Sequence, residues 1–133
     1  MKTRIGIMIL AMLFGCSEFV WATGEVFPVE VAATYAGENS NTMVKAEGNE
    51  LRISTGPIGG ESTQDYLVDV AQGTIAQSPG EMVTKGGEGW QSAYDAVIAS
   101  LGSTQSGLAG LGDTVNAEAV GSTITYLQAW VAA

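Results

Sequence analysis

The side chains that most often perform catalysis are scarce in this sequence. The chain of 133 residues contains no histidine and one cysteine, Cys16. Without histidine, Ser-His-Asp and Cys-His catalysis, imidazole metal ligands and a histidine-based pH switch are excluded. One cysteine cannot supply the thiolate set of a structural zinc or iron–sulfur site, nor a disulfide within the chain. We therefore expect no catalytic residues, no metal site and no bound cofactor.

Carboxylates are the remaining candidates for chemistry. Glycoside hydrolysis requires two acids about 5–9 Å apart, one of them with a pKa raised by burial. Glu88 beside Trp90 and Asp95 next to Tyr94 are the candidates for such a role. We expect both carboxylates to lie on solvated faces, because no spacing in the sequence singles out a catalytic pair of acids. A hydrolase that uses carboxylates alone is therefore only a third hypothesis.

Two short motifs resemble ligand-binding loops. Residues 38–41 (ENSN) offer oxygen atoms to a calcium ion, but they lack the aspartate spacing and distal glutamate of a calcium loop. Residues 86–89 (GGEG) resemble a phosphate loop, but no Lys-Ser/Thr pair follows them. We expect an ordinary turn at the first motif and a hinge at the second.

The N-terminus has the features of a secretory signal peptide. Lys2 and Arg4 precede an apolar run at residues 5–15, which Ser17 and Glu18 follow. This run is shorter than the roughly 20 residues that a membrane-spanning helix needs. We expect a signal peptide at residues 1–22, a single acidic domain at residues 23–133, and no transmembrane helix in the mature chain.

Two cleavage sites are compatible with this segment. Cleavage after Ala22, in Val20-Trp21-Ala22, would discard Cys16. Residues 13–16 (LFGC) instead resemble the site at which a lipoprotein is cut and lipidated, although Phe14 departs from that pattern. Both interpretations predict export, to the periplasm, the cell surface or the medium. In the second, Cys16 would carry a lipid anchor.

The charge of the chain limits its partners. The sequence has 5 Lys/Arg and 14 Asp/Glu residues, for a net charge of −9. Removing residues 1–22 removes two positive charges and one negative charge, so the net charge becomes −10. Nucleic-acid binding needs clustered Lys and Arg, and docking on anionic lipid needs a basic face. We expect neither partner.

In the first half of the predicted mature chain, apolar and polar residues alternate as they do in β-strands. Residues 27–35 have apolar side chains at the odd positions, which predicts a half-buried strand with Pro28 near its end or on a sheet edge. Residues 37–42 (GENSNT) are predicted to be a loop. Gly48-Asn49 then makes a two-residue turn in a predicted β-hairpin at residues 43–55. This turn sets the opposing pairs as Glu47 with Glu50, Ala46 with Leu51, Lys45 with Arg52, and Val44 with Ile53.

The second half shows a period of about 3.6 residues, which is typical of amphipathic helices. One apolar stripe predicts a helix over residues 62–76, and Trp90 begins a second helix that Gly102 would end. Residues 103–112 are ambiguous because they are rich in glycine. A last helix follows Asp113 or Asn116, and residues 82–84 fit a short strand. The stripes are Leu67, Val70, Ala71 and Ile75, then Trp90, Tyr94, Val97, Ile98 and Leu101, and finally Val120, Ile124, Leu127 and Val131.

Together these patterns predict an α+β fold. A small antiparallel sheet, formed by the N-terminal strand and the hairpin at residues 43–55, would carry about three C-terminal helices packed on one face. Two segments could meet a partner: the N-terminal strand, by pairing with another edge, and an aromatic pair on the last helix that either widens the core face or is exposed. The interface candidates are Phe27, Val29, Val31, Tyr35, Tyr126 and Trp130.

These observations favour an exported protein that is not an enzyme. The leading hypothesis is a structural or interaction protein, such as a cell-surface, adhesin-like or extracellular assembly subunit, including a filament subunit. Its partner would be another protein or a second copy. The alternative is a periplasmic or lipid-anchored binding module for a small molecule or a partner protein.

Overall fold

A computed structural model describes residues 26–132 of the chain. The predicted signal peptide and Cys16 lie outside these residues. The described residues form a six-stranded antiparallel sheet followed by two helices, an α+β architecture. The strands are β1 (Val31–Ala36), β2 (Ser40–Glu47), β3 (Glu50–Pro57), β4 (Gln64–Asp69), β5 (Thr74–Ser78) and β6 (Val83–Thr84); the helices are α1 (Trp90–Gly110) and α2 (Thr114–Ala132).

The sheet is a meander in which each strand pairs with its neighbours in the sequence. The predicted hairpin is confirmed as β2 and β3, and all four predicted residue pairs are observed. Val44, Ala46, Leu51 and Ile53 are buried, with relative exposures of 0–1%. On the opposite face, Lys45 Nζ lies 3.9 Å from Glu47 Oε1. Turn chemistry and apolar alternation agree here, and together they fix the register.

The predicted helix at residues 62–76 is wrong, because this segment forms the hairpin of β4 and β5. Val68 pairs with Ile75 across the two strands, and both side chains are buried. Gly73, in the turn, has a φ of +72°, a conformation that glycine adopts without strain. The apolar residues fit a helical stripe by spacing, but Tyr66, Val68 and Ile75 are residue types that favour strands.

The predicted N-terminal strand is shorter than expected. The chain bends at residues 28–29, and β1 begins at Val31. Phe27 lies outside the β1–β2 pairing and its N–H donates to the carbonyl of Gly48 at 2.7 Å. Pro28 has no N–H for a ladder hydrogen bond, which accounts for a strand that starts after it. In contrast, the predicted short strand near residue 83 is present as β6.

The predicted loop at residues 37–42 is too long: only residues 37–39 lie between β1 and β2, in a tight turn, and residues 40–42 belong to β2. Ala36 pairs with Asn41, and the N–H of Gly37 donates to the carbonyl of Ser40 at 2.7 Å. Only Glu38 and Asn39 lie between the hydrogen-bonded residues. The glycine and five polar residues of this segment concealed a two-residue hairpin connection.

There are two C-terminal helices in the described residues rather than about three. Gly102 does not end α1, which continues through the ambiguous glycine-rich segment to Gly110. A side chain at Gly107 would overlap the ring of Tyr35, so this glycine lets β1 and α1 approach closely. The predicted cap of the last helix is confirmed as Asp113, because its carboxylate accepts hydrogen bonds from the backbone N–H and the side chain of Asn116.

Both helices pack on one face of the sheet and enclose the core. Helix α1 contacts β1 and β2 as well as β5 and β6, so it crosses the sheet, whereas α2 contacts α1 and β1. The buried side chains include Val97 and Leu101 of α1, and Val120 and Leu127 of α2. Neither helix within residues 26–132 is long and apolar enough to span a bilayer.

Candidate functional site

The most distinctive surface is the free edge of β1. This strand pairs with β2 on one side and has no strand on its other side among the described residues. Its sequence, VAATYA, contains no charged residue, no proline and no glycine. Exposed edge strands usually carry lysine, proline or a bulge that prevents pairing with another chain. No such feature lies within β1, so its backbone is able to accept a further strand.

The hairpin turn determines which backbone groups of β1 face outward. The Gly37–Ser40 hydrogen bond makes these two residues a hydrogen-bonded pair. Such pairs alternate along an antiparallel ladder, so Tyr35, Ala33 and Val31 direct their N–H and C=O groups toward β2. The N–H and C=O groups that point to the free edge therefore belong to the three exposed residues of the strand, Ala32, Thr34 and Ala36.

The opposite edge of the sheet is less accessible to another strand. Strand β6 pairs with Thr74 and Ile75 of β5, and no other strand in the described part of the chain pairs with residues 76–78 on that side. Pro79 follows directly, and the side chain of Gln77 donates to the carbonyl of Glu81 at 2.9 Å, which holds the next loop beside the strand. This edge is short and is interrupted by proline, in contrast to the six uninterrupted residues of β1.

The interface side chains predicted from the sequence lie mostly toward the core. Phe27, Val31 and Trp130 are buried, with relative exposures of 6%, 3% and 7%. Val29 is partly exposed, and Tyr35 and Tyr126 pack against the core while keeping some exposure. The aromatic pair on α2 therefore widens the core face. What β1 exposes at the edge of the sheet is its backbone rather than its large side chains, a distinction that side-chain alternation alone does not reveal.

An aromatic cluster closes the core where α1 begins and α2 ends. The rings of Trp90 and Trp130 meet edge to face with centroids 5.6 Å apart, and Tyr94 stacks on Trp90 at 6.3 Å. Lys85 Nζ lies 4.9 Å from the centroid of the Trp130 ring and donates to the Trp130 carbonyl at 2.7 Å. Phe27 contacts Tyr126 nearby, with centroids 5.1 Å apart. This cluster joins the first and last parts of the described chain.

The candidate carboxylates do not come together with these aromatic rings in a closed site. Glu88 and Asp95 are exposed, and Asp95 Oδ1 accepts a hydrogen bond from Gln91 at 2.9 Å. Burial, followed by the negative charge of Asp95, raises the pKa of Tyr94 above its usual range. No group of three or more metal-ligating side chains occurs within residues 26–132.

The face of α1 next to β5 and β6 borders an open cleft of about 550 Å³. Tyr66 and Gln77 of the sheet line it, together with Glu81, Glu88 and Ser92. The cleft is open to solvent and its lining mixes polar and apolar groups, so its shape does not select one class of ligand.

Comparison with known proteins gives no relative: no family model matches the chain, and no similar curated protein or solved structure was found.

Proposed function

We propose that this chain is an exported structural or interaction protein without enzymatic activity, and that its working surface is the free edge of β1. The class includes cell-surface, adhesin-like and extracellular assembly subunits. The observation that carries the proposal is an uncharged six-residue edge strand whose outward N–H and C=O groups, at Ala32, Thr34 and Ala36, have no partner strand within residues 26–132.

The mechanism would be β-augmentation, in which a partner contributes a strand to the sheet. Main-chain hydrogen bonds supply the affinity in this mode, because every added strand presents the same N–H and C=O groups. Thr34 lies at the middle of the three outward-facing residues, and the side chains of all three are small. A partner backbone can therefore approach without displacing a large side chain.

The remaining support comes from the sequence. The signal-peptide features predict export, and the absence of histidine removes the commonest catalytic base. A strongly negative net charge keeps an exported domain soluble and separate from polyanions. The core residues of both helices and of the sheet account for stability without a disulfide.

Photo-cross-linking from the edge tests the proposal in the cells that make the protein. A benzoylphenylalanine at Thr34 should give a protein adduct in the exported fraction, whereas the same probe at the exposed Ala99 of α1 should give none. The intact mass of the exported chain reports cleavage after Ala22 or lipidation of Cys16 in the same sample. Retention in the cytoplasm, or equal adducts from both positions, would refute the proposed function.

A further inference from the structure

We infer that the strand accepted by β1 is a single extended segment with basic residues at both ends, rather than the β1 strand of a second copy. This inference rests on the proposed function and specifies the partner of the same surface. It follows from three features around the edge: the position of α2, the charges that flank β1, and the spacing of the outward backbone groups.

The position of α2 disfavours pairing between two copies. A two-fold axis that makes two β1 strands antiparallel stands perpendicular to the sheet, so both copies carry their helices on the same side. Helix α2 packs against β1. The paired strands would lie about 4.8 Å apart, whereas packed helices need about 8–10 Å between their axes. A lone strand carries no helix and avoids this conflict.

An open chain of copies is also disfavoured, because a head-to-tail arrangement needs a second accessible edge. The opposite edge of the sheet provides only residues 76–78 before Pro79. Within residues 26–132, the long free edge therefore has no equivalent second edge to pair with on another copy.

The charges around the edge select a basic partner. Glu30 precedes β1 and Glu38 follows it, and both side chains are exposed. The two residues are eight positions apart, and the three outward-facing residues lie between them. A nine-residue strand added along β1 brings its two ends near these glutamates, while Lys45, which faces Ala32 from β2, lies one strand further from it. Lysine or arginine at those positions would complement both charges, whereas acidic residues would meet like charges.

Three synthetic peptides test the inference on the exported protein. The probe is KTATVTATK with blocked ends, and ETATVTATE reverses its terminal charges. KTATPTATK keeps the basic charge but prevents strand pairing, and so measures non-specific attraction to an acidic protein. We expect the probe to bind at least about tenfold more tightly than either control, as expected for two flanking charge pairs and an intact ladder.

Amide hydrogen exchange locates the bound strand. The N–H groups of Ala32, Thr34 and Ala36 should become protected by the probe, while those of Ala33 and Tyr35, which already face β2, should change little. In a Thr34→Pro variant the fold should be retained, because the lost N–H faces the free edge. That variant should bind KTATVTATK and KTATPTATK equally.

Several outcomes separate this inference from the proposed function. Equal binding of the acidic and basic strand peptides would refute the inference that the partner has basic ends. Exchange protection away from Ala32, Thr34 and Ala36 would refute the inference that the peptide binds at the β1 edge. A disulfide-linked dimer of a Thr34→Cys variant, formed in a Cys16→Ser background, would show that a second copy is the occupant. In each case the proposed function would stand if the cross-link from Thr34 forms in cells. Absence of that cross-link would refute the function whatever the peptides do.

Discussion

Lys85 shows how one residue can hold distant parts of this chain together. Its ammonium group contacts both the ring and the carbonyl of Trp130, which is 45 residues away in the sequence. The carbonyl lies in the last turn of α2, where a positive charge is favourable. We expect Lys85→Met to lower the free energy of unfolding by about 1–2 kcal/mol, measured by urea denaturation.

Lys45→Met is the matched control for this prediction. Lys45 is exposed and approaches Glu47 at only 3.9 Å, so its removal should cost less than about 0.5 kcal/mol. Equal losses in the two variants would show that the contacts of Lys85 with Trp130 are not stabilising. The sequence placed Trp130 beside the apolar stripe of the last helix, but it could not reveal Lys85 as a neighbour because no local spacing connects them.

At the scale of elements, the glycines of α1 have different roles. A Cβ at Gly102 would meet nothing within 4 Å, whereas one at Gly107 would overlap the Tyr35 ring. Gly102→Ala should therefore stabilise the protein by about 0.5–1 kcal/mol through the helix preference of alanine. Gly107→Ala should destabilise it by about 1–3 kcal/mol through overpacking. Thermal unfolding of both variants measures the contrast.

The Tyr35→Ala background provides the control for Gly107. Without the ring, the penalty of Gly107→Ala should largely disappear, and a penalty that persists would contradict the packing explanation. These glycines also explain why the sequence underestimated α1. Glycine weakens a helix locally, but the contact between Gly107 and Tyr35 is tertiary and has no signal in the local pattern.

The β4–β5 hairpin is the second instance in which local pattern was insufficient. Leu67, Val70 and Ile75 fit a helical stripe, but in the structure this segment forms two antiparallel strands joined by a turn that contains Gly73. The β2–β3 hairpin was predictable because its turn and its alternation gave the same register. In the β4–β5 segment the spacing of apolar residues fits a helix as well as a strand, so spacing alone does not decide between them.

At the scale of the whole molecule, unbalanced charge should make stability depend on salt. The sequence carries 14 acidic and 5 basic residues. Lys45–Glu47 is the ion pair found within residues 26–132. Raising NaCl from about 20 mM to about 500 mM shortens the screening length severalfold, so the urea midpoint should rise. A Glu38→Gln, Glu118→Gln variant should show a smaller rise, and a midpoint that falls with salt would contradict the prediction.

The α+β class and the packing of helices on one face were predictable, because the spacing of apolar residues changes along the chain. It is two residues in the first half, typical of strands, and about 3.6 residues in the second, typical of helices. The free edge was only partly predictable. Its strand was recognised, but the direction of its N–H groups depends on the Gly37–Ser40 hydrogen bond in a segment that appeared to be an irregular loop.

The meander also has a kinetic consequence. Each strand pairs with its neighbour in the sequence, so the sheet can form from local hairpins, and topologies rich in local contacts fold quickly. Helix α2, which packs against β1, must instead close a loop spanning most of the described chain. Until it docks, the part of the apolar face of β1 that α1 does not contact is uncovered while its backbone edge is open. The interval before α2 docks is therefore when the chain is most exposed to aggregation during refolding.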